Sequence, residues 1–188
     1  MEKILSRPFG LGIGNRQMPN YLLNCFILFI PVLLCNALWY NKLPPPYQPP
    51  RWNKIPKALD IAENVFRFLV FLLPLNMKIE LKTQNQSVGL FLYLLGLVVY
   101  GSSWIIQIFH TKIAWSTYPV FAMAPAFTTI IWLLGVYFIG ENTFIGIPYI
   151  HLAYFLIILA FVVLHTYHAF LIVKKENEKE RADNRGKV

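Results

Sequence analysis

Five apolar stretches dominate the chain, at roughly 21–40, 58–77, 88–109, 118–139 and 147–172. Each holds about 20 residues or more, enough for a helix to cross a hydrocarbon core about 30 Å thick. Backbone polar groups find no water there, so segments of this kind close their own hydrogen bonds as helices. The expected fold is all-α: a polytopic integral membrane protein built as a five-transmembrane-helix bundle over 21–172. An amino-terminal tail, 1–20, precedes it. A Pro-rich loop, 41–57, follows the first span, and a basic tail, 173–188, ends the chain. Of the 188 residues 56% are hydrophobic and 14% charged, where a soluble domain carries about 25% charged.

The net charge of +8 is uneven. Six of the 17 Lys and Arg fall within the last 15 residues. Basic residues after a span mark its cytoplasmic side and meet anionic lipid. With the carboxyl end inside, five spans place the amino end outside; eleven Lys and Arg then lie inside and five outside. The expected location is the cell membrane, multi-pass, with the amino terminus outside and the carboxyl terminus cytoplasmic. No soluble domain presents the charge, so nucleic acid is not an expected partner; membrane lipids are, and a homo-oligomer is left open.

Cys25 and Cys35 lie ten residues apart in the first span, about 15 Å along a straight helix, too far for a disulfide. That span is long for a signal sequence, holds Asn24, Pro31 and Asn36, and lacks a small-x-small cleavage site. The loop "NKLPPPYQPPRWNKIPK" cannot continue a helix and reads as a stiff extended segment at the interface. No internal repeat is evident, so an inverted-repeat transporter design has no support.

At 100° per residue, Asp60, Glu63, Arg67 and Pro74 of the second span share an arc of about 60°. Glu63 and Arg67 stand at i and i+4, the order that favours a helix ion pair. Ionisable groups at membrane depth are costly unless paired and turned inward, so this face is expected to point into the bundle. The third span adds a stripe of Gly89, Tyr93, Gly96, Tyr100, Ser103, Trp104 and Gln107. The fourth adds Tyr118, Phe121, Pro125, Thr128, Thr129, Trp132 and Gly135, and the fifth His151, Tyr154, Phe161, His165 and His168. Alternating spans bring Asp60, Glu63, Arg67, Ser103, Trp104, Gln107, His110, Thr128, His165 and His168 to one half of the membrane, beneath the Pro-rich loop. A one-sided cavity is expected, walled by Glu63, Arg67, Tyr100, Trp104, Gln107, Trp132, His165 and His168. The same residues also fit helix-to-helix packing.

No cofactor is predicted. His151 and His165 share a face, but bis-His ligation of haem needs partners on a second span, where His110 alone is left. Glu63, His165 and His168 offer zinc-type ligands without an H-E-x-x-H or a Cys pair. "FGLGIGNR" follows no strand and precedes no phosphate-loop Lys, and no Gly-x-Ser-x-Gly elbow exists. The expected function is binding or sensing of a small, largely apolar or amphipathic ligand. A membrane enzyme acting on a lipid or isoprenoid, with Glu63 or Asp60 as acid or base, stays open. So does a proton-coupled carrier or small channel using Glu63, Arg67 and His165.

The loop "WYNKLPPPYQPPRW" resembles the first loop of the TspO family, the tryptophan-rich translocator proteins. Trp104 with "IIQIF", "TTIIW" at Thr128–Trp132 and "PYIHLAYF" at Pro148–Phe155 look similar too. The resemblance implies five spans and a loop closing a pocket for porphyrins or sterol-like ligands. It implies no residue roles: Leu97 and Gly101 stand where that family has Gln and Asn, and Asp60-x-x-Glu63-Asn64-x-x-Arg67 replaces its second-span tryptophan signature.

Overall fold

A computed structural model describes residues 22–42, 55–109 and 118–185. The amino tail, most of the Pro-rich loop and His110 lie outside the described residues. Among them the fold is all-helical, with two isolated bridges, Asn24 to Lys78 and Met77 to Thr143, and no strand. A 3-10 turn, Cys25–Phe29, leads into α1 (Ile30–Trp39), which carries Pro31 in its first turn. Next come α2 (Lys57–Leu72), continued by the 3-10 turn Leu73–Asn76, and α3 (Gln84–Phe109). The short helices α4 (Pro119–Ala122) and α5 (Ala124–Phe127) run into α6 (Thr129–Ile139), and α7 (Ile150–Arg185) closes the chain.

Three helices are long and apolar enough to cross a membrane: Cys25–Lys42, Gln84–Phe109 and the Ile150–Lys175 part of α7. The second and fourth expected spans miss that standard for different reasons. α2 is long enough only with the 3-10 turn that follows it, and it carries Lys57, Asp60, Glu63 and Arg67. The fourth is broken, because Pro125 has no N–H to donate to Phe121 O. The chain therefore turns at Met123 and again at Thr128. α7 runs on past residue 172 to Arg185, so most of the expected tail is helical. Its 36 residues make about 54 Å, well beyond the hydrocarbon thickness.

The tightest seam joins α3 and α6. A Cβ on Gly96 would fall inside the backbone of Trp132, and one on Gly135 inside that of Tyr93. Small residues let two membrane helices approach this closely, and the approach maximises dispersion contact. The expected α3 stripe does face inward: Gly89, Tyr93, Gly96, Tyr100 and Gln107 are buried. On the fourth segment Pro125, Thr128, Thr129 and Trp132 are buried, but Tyr118 and Phe121 are exposed, since the breaks shift the helical phase. α2 packs along α7. It turns Glu63 inward, 1% exposed, and presents Ile61, Val65, Phe68 and Leu72 outward. Such a helix is inverted relative to one made for water.

The end of the bundle away from the cavity is knitted by backbone. Cys25 N–H donates to Met77 O (2.8 Å), Lys78 N–H to Asn142 O (2.8 Å) and Phe144 N–H to Asn76 O (2.9 Å). Asn76 adds a reciprocal side-chain pair with Ile145, donating from Nδ2 (3.0 Å) and accepting at Oδ1 (2.9 Å). Gln86 Oε1 accepts from the Lys82 and Thr83 amides and caps α3. The two cysteines are free thiols.

Candidate functional site

A cavity of about 450 Å³ opens at the opposite end, where α1 and α3 finish and α2 begins. All five segments contribute to its wall. Phe29, Val32, Asn36, Trp39 and Tyr40 come from the first, and Asp60, Glu63, Asn64 and Arg67 from α2. Tyr100 and Trp104 come from α3, Pro125, Thr129 and Trp132 from the broken fourth, and Phe161, His165 and His168 from α7.

Glu63 organises the polar side. The Arg67 guanidinium donates to its Oε1 across one helical turn, as the i, i+4 spacing requires. His165 Nδ1 meets the same oxygen at 2.9 Å, and His168 Nδ1 bonds Oε2. A carboxylate accepts and cannot donate, so both imidazoles are the donors. Arg67 also donates to Asn64 Oδ1 (2.9 Å), and Asn64 Nδ2 to Asp60 Oδ1 (3.2 Å), which ties the cluster to the mouth of α2. Helix geometry explains the assembly: Asp60, Asn64 and Arg67 climb one face of α2, while His165 and His168, three residues apart, share the face of α7 packed against it. Phe161 stacks on the His165 ring at 5.3 Å and fixes its plane.

The rest of the wall is apolar and aromatic. Trp132 stands edge-on to Phe29 (5.1 Å), which leans on Phe71 (4.8 Å). Tyr100 packs edge-on to Trp104 and donates its hydroxyl to Asn36 Oδ1 at 2.7 Å, linking α3 to α1. The indole N–H of Trp132 is buried and meets no acceptor among the described residues.

Of the eight residues expected to wall a cavity, seven line this one: Glu63, Arg67, Tyr100, Trp104, Trp132, His165 and His168. Gln107 does not. Its Nε2 donates to Phe121 O at 2.6 Å, the carbonyl to which Pro125 has no N–H to offer. Gln107 therefore braces the break in the fourth segment. Thr128 and Thr129 bond back to Ala124 O and Pro125 O, as helix-bending hydroxyls do. His151 sits at the far end on Gly140 O (2.7 Å), remote from His165. Among the described residues no group of three His, Cys, Asp or Glu is placed to hold a metal ion. Sequence reasoning passed over Asn36, Asn64 and Phe71 as wall residues. For the two asparagines a signal existed, since an amide inside an apolar stretch has to find a partner.

Fold and site together define a helical membrane protein with a buried carboxylate–histidine cluster at one end of its bundle. Compared with protein-family models, curated proteins and solved structures, the chain matches none. The Pro-rich loop that carries most of the TspO resemblance lies largely outside the described residues.

Proposed function

We propose that the chain is a five-span protein of the cell membrane, amino end outside and carboxyl end cytoplasmic, whose cavity binds or senses a small, largely apolar ligand by its polar end. The observation that carries this reading is the composition of the cavity. One side presents a carboxylate paired with a guanidinium and hydrogen-bonded by two imidazoles; the rest is Phe, Val and Trp. A volume of about 450 Å³ lies within the range of small-molecule sites. Support for α2 as a span comes from its outward apolar stripe and its length. With the turn that follows, it covers about 30 Å at 1.5 Å per residue.

The test is protein purified in mild detergent, probed by absorption spectroscopy, native mass spectrometry and metal analysis. A near-stoichiometric lipid-like molecule, lost on Trp132→Ala, is the expected result. Clean apo-protein that no apolar additive stabilises overturns the binding reading. Labelling of single cysteines introduced at positions 2 and 187, from either side of sealed vesicles, tests the topology.

A second reading, a membrane enzyme acting on a lipid or isoprenoid, is favoured by one feature. An imidazole anchored through Nδ1 by a carboxylate is the arrangement of a positioned base. In that case His165, rather than the saturated Glu63, takes the proton. Turnover lost in His165→Phe with the fold retained would distinguish it.

A further inference from the structure

The proton positions in the cluster restrict the ligand's polar end. Because Glu63 can only accept, Nδ1 of His165 carries a hydrogen. Protonating Nε2 of both rings as well would set three cations around one carboxylate in an apolar bundle, an arrangement with a large desolvation cost. With both rings neutral, hydrogen on Nδ1 leaves Nε2 as a lone-pair acceptor. His165 lines the cavity with its side chain 32% exposed, so this acceptor is within reach of a ligand. The rest of the wall adds a second demand, an apolar body to lie against its Phe, Val and Trp side chains.

Charge adds a third restriction. The formally charged side chains on the wall are Asp60, Glu63 and Arg67, two anions and one cation. Arg67 is engaged by Glu63 and Asn64. An anionic headgroup would face a wall with a net negative charge and no uncommitted cation among these three. A cationic one would find Glu63 already holding three donors and, at the exposed mouth, Asp60 accepting from Asn64.

We infer that the cavity selects a neutral, hydroxyl-bearing lipid, an alcohol whose O–H donates to His165 Nε2 while its apolar body lies along Phe29, Val32, Phe71 and Trp132. This rests on the binding reading above and names the ligand class for the same site. A hydroxyl carries the proton that a lone pair on His165 can accept. An ether, a carboxylate or a phosphate has no proton for His165.

The experiment compares four probes with one C15 tail: farnesol, its methyl ether, farnesoic acid and farnesylamine. Each is titrated into the protein in phosphatidylcholine nanodiscs, read by quenching of tryptophan fluorescence and by the melting temperature. Farnesol is expected to bind about tenfold tighter than the ether and the acid, the worth of one hydrogen bond in a dry site, and tighter than the amine. In His165→Phe, which keeps the aromatic packing on Phe161, that preference should vanish while ether affinity stays unchanged. The ether comparison needs no variant and decides the matter even if His165→Phe fails to fold. Equal binding of alcohol and ether overturns the inference, and so does a preference for acid or amine; both leave the binding reading intact. No binding by any of the four overturns both.

Discussion

The two ends of the bundle solve the same problem in opposite ways. At the far end, the chain before α1, the turn after α2 and the loop before α7 exchange backbone hydrogen bonds, and Asn76 locks onto Ile145 through both its amide atoms. At the cavity end, among the described residues, side chains hold the segments together: Glu63 joins α2 to α7, and Tyr100 joins α3 to α1. The difference bears on where function can reside. A backbone clasp is insensitive to most substitutions. Side-chain bridges leave room between them and expose chemistry. α1 illustrates the consequence: Val32 is its buried residue, while Ile30, Leu33, Leu34 and Leu38 are exposed, which makes it the loosest wall of the cavity.

The largest expected effect is at the cavity end. Arg67→Leu leaves the Glu63 carboxylate without its cation in a nearly water-free position. Breaking a buried pair costs about 3–5 kcal/mol. Because the Arg67 side chain is 40% exposed, the lower end, about 3 kcal/mol, is expected as a fall in melting temperature. An unchanged melting curve would mean that the two histidines suffice to hold the carboxylate. At the clasp, Asn76→Ala removes two hydrogen bonds and is expected to cost about 1–2 kcal/mol, with ligand affinity unaltered. A fall in affinity there would show that the two ends are coupled. Smaller still is Asn36→Leu, which strips Tyr100 of its acceptor at a cost of about 1 kcal/mol. Its clearer readout is the reactivity of the half-buried Cys35 toward a membrane-permeant maleimide, which should rise as α1 loosens.

The clasp and the cavity were not equally legible in the sequence. The Glu63–Arg67 pair, the inward stripe of α3 and the meeting of α2 with His165 and His168 follow from spacing, because those helices are continuous and 100° per residue holds along them. The same arithmetic fails on the fourth segment. The break at Pro125 resets its phase, so Tyr118 and Phe121 are exposed and Gln107 is drawn to the break instead of the cavity. The clasp left almost no trace, since it consists of backbone groups from short loops and any residue supplies those. Asn76 and Asn142, its side-chain contributors, look like ordinary loop asparagines.

One titratable group reports on the clasp alone. Glu80, in the loop after α2, accepts from Asn142 Nδ2 at 2.7 Å and lies 3.4 Å from the Lys82 ammonium. The Asn142 hydrogen bond first, and then Lys82 and Lys78, hold its carboxyl below the usual carboxylate range. A folded pKa below the unfolded one means that the carboxylate stabilises the fold above the unfolded value, about 4.3. That contribution is lost as pH falls through the folded value. Because the group is exposed and screened, its effect is smaller than that of Arg67→Leu, Asn76→Ala or Asn36→Leu. Asn142→Ala should therefore lower the melting temperature slightly at pH 7, and the gap from the parent protein should close as the pH is taken below about 4. A gap that persists unchanged into acid would assign the Asn142 contribution to something other than Glu80. The clasp would then be held by its backbone alone, and the contrast between the two ends would be sharper still.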